Sequence, residues 1–180
     1  MAQKYYHARL MSAQTVIDSL EFARTAQELR GSIPVATMKR LEDCLSDNSG
    51  EVQFSVRGGR DDERRLILRV EIAGGLRLQC QRCLGTLEYP LRLSNTLLLV
   101  RPGEDLSANA DDPEAPDCIE ASAELNVAAL IEDEILLSLP FAPRHEENAC
   151  RSAVGAGERS AENEPAFAKL AKLKNLRQKQ

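Results

Sequence analysis

Alternation between apolar and polar side chains in residues 65–72, interrupted only at Ile67, is the pattern that most constrains the fold. The apolar set comprises every second residue, namely Leu66, Leu68, Val70 and Ile72. Such alternation is typical of a β-strand with one buried face and one solvated face. The same period of two appears in residues 52–56, 76–80 and 87–93, and residues 96–100 form a further apolar run. The sequence predicts four or five short antiparallel strands, arranged as a meander or a partly closed small barrel, with a hairpin turn at Gly74-Gly75.

Helical periodicity appears on both sides of the predicted strands. Residues 18–29 and 34–45 carry apolar side chains at helical spacing, and residues 127–139 form the strongest helix candidate, which Pro140 ends. The predicted fold class is therefore α+β, with N-terminal helices, an antiparallel sheet, one packed helix and a C-terminal helical arm.

Composition predicts how the chain is organised. Residues 1–145 are expected to form a single α+β domain with an acidic, proline-containing loop at 104–123. Residues 146–164 are polar and are predicted to be a flexible linker. Residues 165–180 are predicted to form a basic amphipathic helix, which needs a partner surface because a lone helix of this length is marginal in water.

Two cysteine-containing segments are candidates for a shared metal site. Cys80 and Cys83 lie between two predicted strands, and His145 and Cys150 lie far downstream. Two thiols from a tight turn, with a histidine and a third cysteine, can form the tetrahedral shell of a structural zinc ion. The predicted cofactor is therefore one structural Zn²⁺, which would join parts of the chain separated by residues 84–144.

Two alternatives remain open for these cysteines. Cys80 and Cys83 can be buried thiols without a metal, or they can form a redox pair. A redox pair of the thioredoxin type lies where a strand meets a helix N-terminus, whereas strand is predicted after Cys83. Redox chemistry is therefore the less favoured alternative.

The charge distribution favours an anionic partner, although the net charge of the chain is −5. Residues 102–143 contain eleven acidic residues and no lysine or arginine, so all 23 basic residues lie elsewhere. Arginines crowd the predicted strands, and arginine binds phosphate through two parallel hydrogen bonds. An alternative is a solvated sheet face with local ion pairs. The candidate RNA-binding residues are Arg64, Arg65, Arg69, Arg77, Arg82, Lys169, Lys172, Lys174 and Arg177.

Nothing in the sequence indicates an enzyme. It has no phosphate-binding glycine motif and only two histidines, His7 and His145. Residues 132–134 are all acidic, but three consecutive helical residues fan apart and do not converge on one reacting atom. The N-terminus has no apolar run of signal-peptide type, and the chain has no transmembrane span, so a cytoplasmic location is expected.

Several short motifs occur in a characteristic order. They are Cys80-Gln81-Arg82-Cys83, the run from Ile131 to Pro140, Pro143-Arg144-His145 with Cys150, and the C-terminal run from Pro165 to Lys174. In this order they resemble the bacterial YceD family, the large-subunit ribosomal RNA accumulation proteins. The C-terminal run departs from the family signature N-P-F-x-x-L-x-x-L-K, since Glu164 replaces the asparagine and Ala166 separates the proline from the phenylalanine.

The resemblance implies a cytoplasmic, non-enzymatic protein that supports synthesis, processing or stability of 23S ribosomal RNA. It also implies metal binding and nucleic-acid binding. On this hypothesis the arginine face and the basic C-terminal helix contact 23S rRNA or its precursor. Residues 132–134 and the acidic loop either limit nonspecific binding or dock a basic ribosomal protein or assembly factor. The competing hypothesis is a protein–protein adaptor that does not touch RNA. Neither hypothesis involves a membrane or a small-molecule substrate.

Overall fold

A large β-sheet dominates the computed structural model, which describes residues 5–7, 15–104, 115–146 and 149–150. The strands in these ranges are β1 (Tyr5–His7), β2 (Val16–Ile17), β3 (Glu28–Pro34), β4 (Leu45–Asp47), β5 (Glu51–Arg60), β6 (Leu66–Gln79), β7 (Thr86–Val100), β8 (Asp117–Glu120) and β9 (Leu125–Asn126). The α-helices in the same ranges are α1 (Ser19–Arg24) and α2 (Val127–Ser138).

The described strands form a seven-stranded sheet and a small two-stranded sheet. The order in the large sheet is β1-β3-β5-β6-β7-β8, and β4 adds to β6 beyond the start of β5. Strands β3, β5, β6 and β7 pair antiparallel, whereas β1 and β8 pair parallel to their neighbours. Strands β2 and β9 form the small sheet. The antiparallel meander is confirmed, and the described sheet does not close into a barrel.

One face of the large sheet is buried because its alternate residues are apolar. Side chains from both helices pack against this face and form the core with it. They include Phe22 of α1 and Ile131 and Ile135 of α2. The opposite face carries polar and charged residues such as Arg69, Glu71 and Arg92, which are exposed. The period of two in the sequence therefore predicts the core-facing side of the strands, although Ile67 and Leu98, which pair on the opposite face, are buried as well.

The two predicted N-terminal helices are largely wrong. Helix α1 covers six residues, begins at its N-cap Asp18, and is followed by Ala26 with a positive φ of 49°. The chain then enters β3, because residues 28–34 gain a full ladder of hydrogen bonds with β5. The second predicted helix consists of two short 3₁₀ turns, Val35–Thr37 and Lys39–Cys44, separated by Met38. Burial of Val35, Met38 and Leu41 explains why their spacing resembled that of an α-helix.

The hairpin turn predicted at Gly74-Gly75 is also wrong. Both glycines lie inside β6, where they pair with Leu91 and Pro90 of β7. A Cβ atom on Gly74 would lie 2.7 Å from Cγ1 of Val52, so glycine allows β5 to begin close against β6 at this position. The turn between β5 and β6 instead occupies residues 61–65.

The predicted helix at 127–139 is confirmed as α2, with Asn126 as its N-cap. Strand β8 lies within the segment predicted to be an acidic loop. The predicted helix at 165–180 and most of the predicted linker lie outside the described residues. No helix in the described part of the chain is long and apolar enough to cross a membrane.

Candidate metal centre

A tight turn between β6 and β7 presents the first two candidate ligands. The backbone N–H of Cys80 donates to the carbonyl of Gly85 at 2.9 Å, and the N–H of Leu84 donates to the carbonyl of Cys80 at 2.8 Å. Leu84 has a positive φ of 58°, which lets the chain reverse before Gly85. The Cys80–Cys83 segment is therefore a closed knuckle whose two thiols belong to one rigid turn.

Two hydrogen bonds to backbone carbonyls connect the downstream segment with the knuckle and with the first residue of β7. The N–H of Gln81 donates to the carbonyl of Pro143 at 2.8 Å. Nε2 of His145 lies 2.9 Å from the carbonyl oxygen of Thr86, and because a carbonyl only accepts, Nε2 carries the proton. Nδ1 of His145 is then the nitrogen with a free lone pair, and it faces the thiols.

The four predicted ligands converge. Their ligand atoms, from Cys80, Cys83, His145 and Cys150, all lie within 4.8 Å of one another. Sγ of Cys80 is 3.8 Å from Sγ of Cys150, while Nδ1 of His145 is 3.5 Å from Sγ of Cys83 and 3.6 Å from Sγ of Cys150.

These three distances match edges of a zinc tetrahedron. Zn–S bonds of about 2.3 Å and Zn–N bonds of about 2.0 Å give S···S edges of about 3.8 Å and S···N edges of about 3.5 Å. Three sulfur donors and one imidazole nitrogen form a ligand set that zinc favours in closed structural sites. This group can hold a metal ion, and its geometry fits zinc.

The electrostatics of the cluster favour a bound cation. Burial alone raises the pKa of Cys80, but backbone N–H groups of His145, Cys83 and Arg82 outweigh it and lower that pKa to about 5. Burial likewise opposes ionisation of Cys150, yet its pKa is lowered, first of all by the hydrogen bond from Arg82.

The other two ligands respond to these thiolates. The backbone N–H of Gly85 lowers the pKa of Cys83, but burial and the nearby sulfurs of Cys150 and Cys80 outweigh it, so the pKa is raised. The pKa of His145 is raised, chiefly by its hydrogen bond with Cys150. The cluster thus concentrates negative charge that a divalent cation would neutralise.

The arginines predicted to bind RNA do not share one free surface. Arg77 pairs with Asp47 at 2.6 Å and with Glu88 at 3.1 Å, and Arg65 pairs with Asp61 at 2.6 Å. Among the described residues, Arg64 and Arg69 make no ion pair. The remaining predicted contacts, Lys169, Lys172, Lys174 and Arg177, lie outside the described residues.

Arg82 lies at the metal centre and not on the sheet face. Its Nε donates to Sγ of Cys150 at 2.9 Å. No sequence pattern indicates this contact, since only the fold brings residues 82 and 150 together.

The polar face of the sheet contains one further arginine of interest, Arg92. It is exposed, has no ion pair within the described ranges, and lines a shallow depression of about 420 Å³ together with Ala73 and Ser94. The register places Arg69 opposite Thr96 and Arg92 opposite Ala73, so both arginines project from the same face. The alternation of apolar and polar residues along β7 already places Arg92 on the polar face, so the sequence could have identified it as a candidate.

The acidic residues of α2 are used within the fold. Glu132 accepts a hydrogen bond of 2.6 Å from the backbone N–H of Arg40, and Asp133 pairs with the guanidinium of the same arginine. Glu134 is only 5% exposed and accepts from Nδ2 of Asn95 at 2.9 Å. The three carboxylates therefore do not form an open acidic surface.

Sequence comparison identifies the family. The sequence profile described as "Large ribosomal RNA subunit accumulation protein YceD" matches residues 68–174, more than half of the chain. The chain belongs to the YceD family. All four ligands of the candidate metal centre lie within the residues that match the YceD profile, and the resemblance inferred from the motifs is confirmed.

A curated YceD protein gives the same result. The chain is similar to the large ribosomal RNA subunit accumulation protein YceD of Haemophilus influenzae, with 24% identity over 137 residues. The aligned region covers 74% of this chain and 76% of that relative. No solved structure matches the chain.

Proposed function

We propose that this protein is a cytoplasmic, non-enzymatic factor that supports the accumulation of 23S ribosomal RNA and carries one structural zinc ion. Membership of the YceD family and the name of the Haemophilus relative support the ribosomal role. The observation that carries the zinc assignment is the convergence of four ligand atoms within 4.8 Å. Zinc there would stabilise the junction between the knuckle and residues 143–150.

The ligand count supports a structural role for the metal. Catalytic zinc sites keep one coordination position open for water or substrate, whereas four protein ligands fill a tetrahedral shell. Cys80 is fully buried, so the metal would be approached from one side only. The proposed site therefore stabilises the fold and performs no chemistry.

Contact with RNA is proposed for the polar sheet face. Arg69 and Arg92 project from this face, and no ion pair within the described residues occupies their guanidinium groups. The basic residues predicted in the C-terminal segment would add further phosphate contacts. Binding through phosphate contacts is governed by counterion release, so the affinity should fall steeply with salt.

The first experiment is to delete the gene and measure the ratio of 23S to 16S rRNA. We expect the ratio to fall, and to recover when wild-type protein is supplied. A ratio that stays unchanged in the deletion strain would refute the ribosomal role.

The second experiment measures binding of the purified protein to 23S fragments over a range of salt concentrations. We expect Arg69→Glu to weaken binding and to flatten the salt dependence. Lys39→Glu is the matched control, since it makes the same charge change on the exposed side of a 3₁₀ turn. Equal affinities for the two variants would exclude Arg69 from the interface.

The second candidate function is that of a protein–protein adaptor, which three exposed apolar side chains favour. Leu137 is 82% exposed, and Leu84 and Phe141 are also exposed on or near the segments that build the metal centre. An adaptor would lose its partner when Leu137 or Phe141, or the C-terminal Leu170 and Leu173, become polar. An RNA-binding protein would instead lose RNA when Lys172 and Lys174 become glutamate.

A further inference from the structure

The side chain of Arg82 makes three hydrogen bonds, all to the downstream half of the metal centre. Nε donates to Sγ of Cys150 at 2.9 Å, and Nη2 donates to the carbonyl oxygens of Glu146 at 3.2 Å and His145 at 3.4 Å. Arg82 itself belongs to the knuckle, between the first two ligands. One guanidinium therefore connects the knuckle to the segment that supplies the other two ligands.

The charge of the site gives this contact a second role. Three thiolates, one neutral imidazole and a divalent ion have a net charge of −1. A guanidinium in direct contact with one thiolate neutralises that charge.

We propose that Arg82 is a positioning residue of the metal centre, which orients Cys150 for coordination and compensates the charge of the loaded site. The inference rests on the zinc site proposed above. It removes Arg82 from the predicted RNA-binding residues, because three of its five N–H donors are directed at the protein's own sulfur and carbonyl groups.

Arginine is better suited to this position than lysine. The donors on Nε and Nη2 are held in one plane and reach a sulfur and two carbonyl oxygens together. Lysine would keep the positive charge but offers a single nitrogen on a flexible chain. Replacement by lysine should therefore preserve charge compensation and lose most of the orientation of Cys150.

The test compares zinc affinity in wild type, Arg82→Gln and Arg82→Lys by competition with a chromogenic chelator. Loss of an outer-shell partner typically weakens metal binding about 10–100-fold, and we expect Arg82→Gln to fall in that range with unchanged stoichiometry. Arg82→Lys should fall between Arg82→Gln and wild type. Arg144→Gln is the matched control, because Arg144 is exposed next to His145 and makes no ion pair among the described residues.

A spectroscopic measurement separates orientation of the sulfur from a general loss of stability. In the Co²⁺-substituted protein, removal of the N–H···S bond makes Cys150 a stronger donor. The thiolate-to-cobalt charge-transfer band should then shift to lower energy in Arg82→Gln but not in Arg144→Gln. A mere loss of folding stability would decrease the amount of bound cobalt without moving this band.

The outcomes distinguish the two proposals. If wild type binds no zinc, both the zinc site and the proposed role of Arg82 are refuted. If wild type binds zinc but Arg82→Gln matches Arg144→Gln in affinity and spectrum, only the role of Arg82 is refuted. Reduced RNA binding by Arg82→Gln with normal zinc affinity would return Arg82 to the RNA interface.

Discussion

His145 can act as a ligand because its two ring nitrogens have different partners. The carbonyl oxygen of Thr86 accepts a hydrogen bond from Nε2–H, which leaves the lone pair of Nδ1 directed at the sulfurs of Cys83 and Cys150. Fixing the tautomer in this way lowers the cost of ordering the ring when metal binds. A single backbone carbonyl thus prepares the imidazole for coordination.

Replacement of one ligand should abolish stoichiometric metal binding. We expect wild-type protein purified without chelator to contain about one zinc per chain, and Cys83→Ser to contain almost none. Elemental analysis measures both. Cys44→Ser is the control, since Cys44 lies at the end of a 3₁₀ turn and outside the cluster, and it should retain the metal. Equal zinc content in the two variants would contradict the assignment of Cys83.

Glu28 should make the stability of the protein depend on acidic pH. Its Oε1 accepts hydrogen bonds from Arg57 at 2.7 Å and from Arg30 at 2.6 Å, and the bond from Arg57 is the largest cause of a pKa lowered from 4.5. A lowered pKa contributes stability that is complete above the unfolded value and disappears as the pH falls through the folded value.

Urea denaturation of wild type and Glu28→Gln over a pH series checks this prediction. The wild type should be the more stable protein at neutral pH, and the difference should vanish below the lowered pKa of Glu28. A difference that is independent of pH would show that the ionised carboxylate is not its cause.

At the scale of elements, α1 packs against β5 at a position that only glycine can occupy. A Cβ atom on Gly58 would lie 2.4 Å from the carbonyl oxygen of Phe22 and 2.7 Å from Cα of Ala23. Both obstructions are backbone atoms, so a rotamer change cannot relieve them. We expect Gly58→Ala to lower the free energy of unfolding by about 3 kcal/mol, as measured by urea denaturation.

Gly75→Ala is the matched control for this prediction. A Cβ atom at Gly75 meets no other atom within 4 Å, and the residue also lies in a strand. Its substitution should change stability by less than about 0.5 kcal/mol. Similar effects of the two alanines would mean that the contact with α1 does not control the stability of this region.

Helix α2 is fixed to the sheet by a hydrogen bond between the buried Glu134 and the half-buried Asn95. Removal of the amide in Asn95→Ala leaves a carboxylate that is only 5% exposed without its hydrogen-bond donor. We expect a loss of about 1–3 kcal/mol in the free energy of unfolding. Arg40→Ala, which removes the half-exposed ion pairs to Glu132 and Asp133, should lose less than about 1 kcal/mol. The reverse ranking in urea denaturation would contradict this assignment.

The strands and α2 were predictable because burial on one face imposes a period on the sequence. The N-terminal helices and the turn at Gly74-Gly75 were not predicted correctly. In both segments, pairing with strands distant in sequence outweighs the conformation that the local sequence favours. Residues 28–34 form backbone hydrogen bonds with β5, and the missing side chain of Gly74 allows Val52 to approach closely. These long-range contacts leave no signature in a window of ten residues.

The convergence of the four candidate ligands was predictable from their residue types and spacing, whereas the surroundings of the site were not. Cys80 and Cys83 form a recognisable pair, and His145 and Cys150 are residues with metal-binding chemistry. The contacts of Arg82 with Cys150 and of Thr86 with His145 depend on the fold, since they join residues 68 and 59 positions apart. From the sequence alone, an arginine in a strand-rich segment is easily interpreted as a phosphate-binding residue. Only the fold shows which groups of the protein its guanidinium already contacts.

For the molecule as a whole, the metal should be a measurable part of its stability. A ligand that binds only the folded state raises stability with its concentration, and zinc would join segments separated by residues 84–144. We expect a chelator to lower the Tm of wild type, and we expect zinc added in an amount equimolar with the chelator to restore it. Cys83→Ser should already have the lower Tm and should not respond to chelator. A Tm of wild type that is insensitive to chelator would show that the site does not contribute to folding.

During translation, the two cysteines of the knuckle are synthesised earlier than the other two candidate ligands. Cys80 and Cys83 leave the exit tunnel well before His145 and Cys150, and two thiols alone cannot saturate a zinc ion. Strands β7 and β8 and helix α2 are all synthesised before the last ligand emerges. If the proposed site binds zinc, tight metal capture would therefore occur late in translation, and we expect nascent chains arrested before residue 145 to lose zinc to a chelator that full-length chains resist.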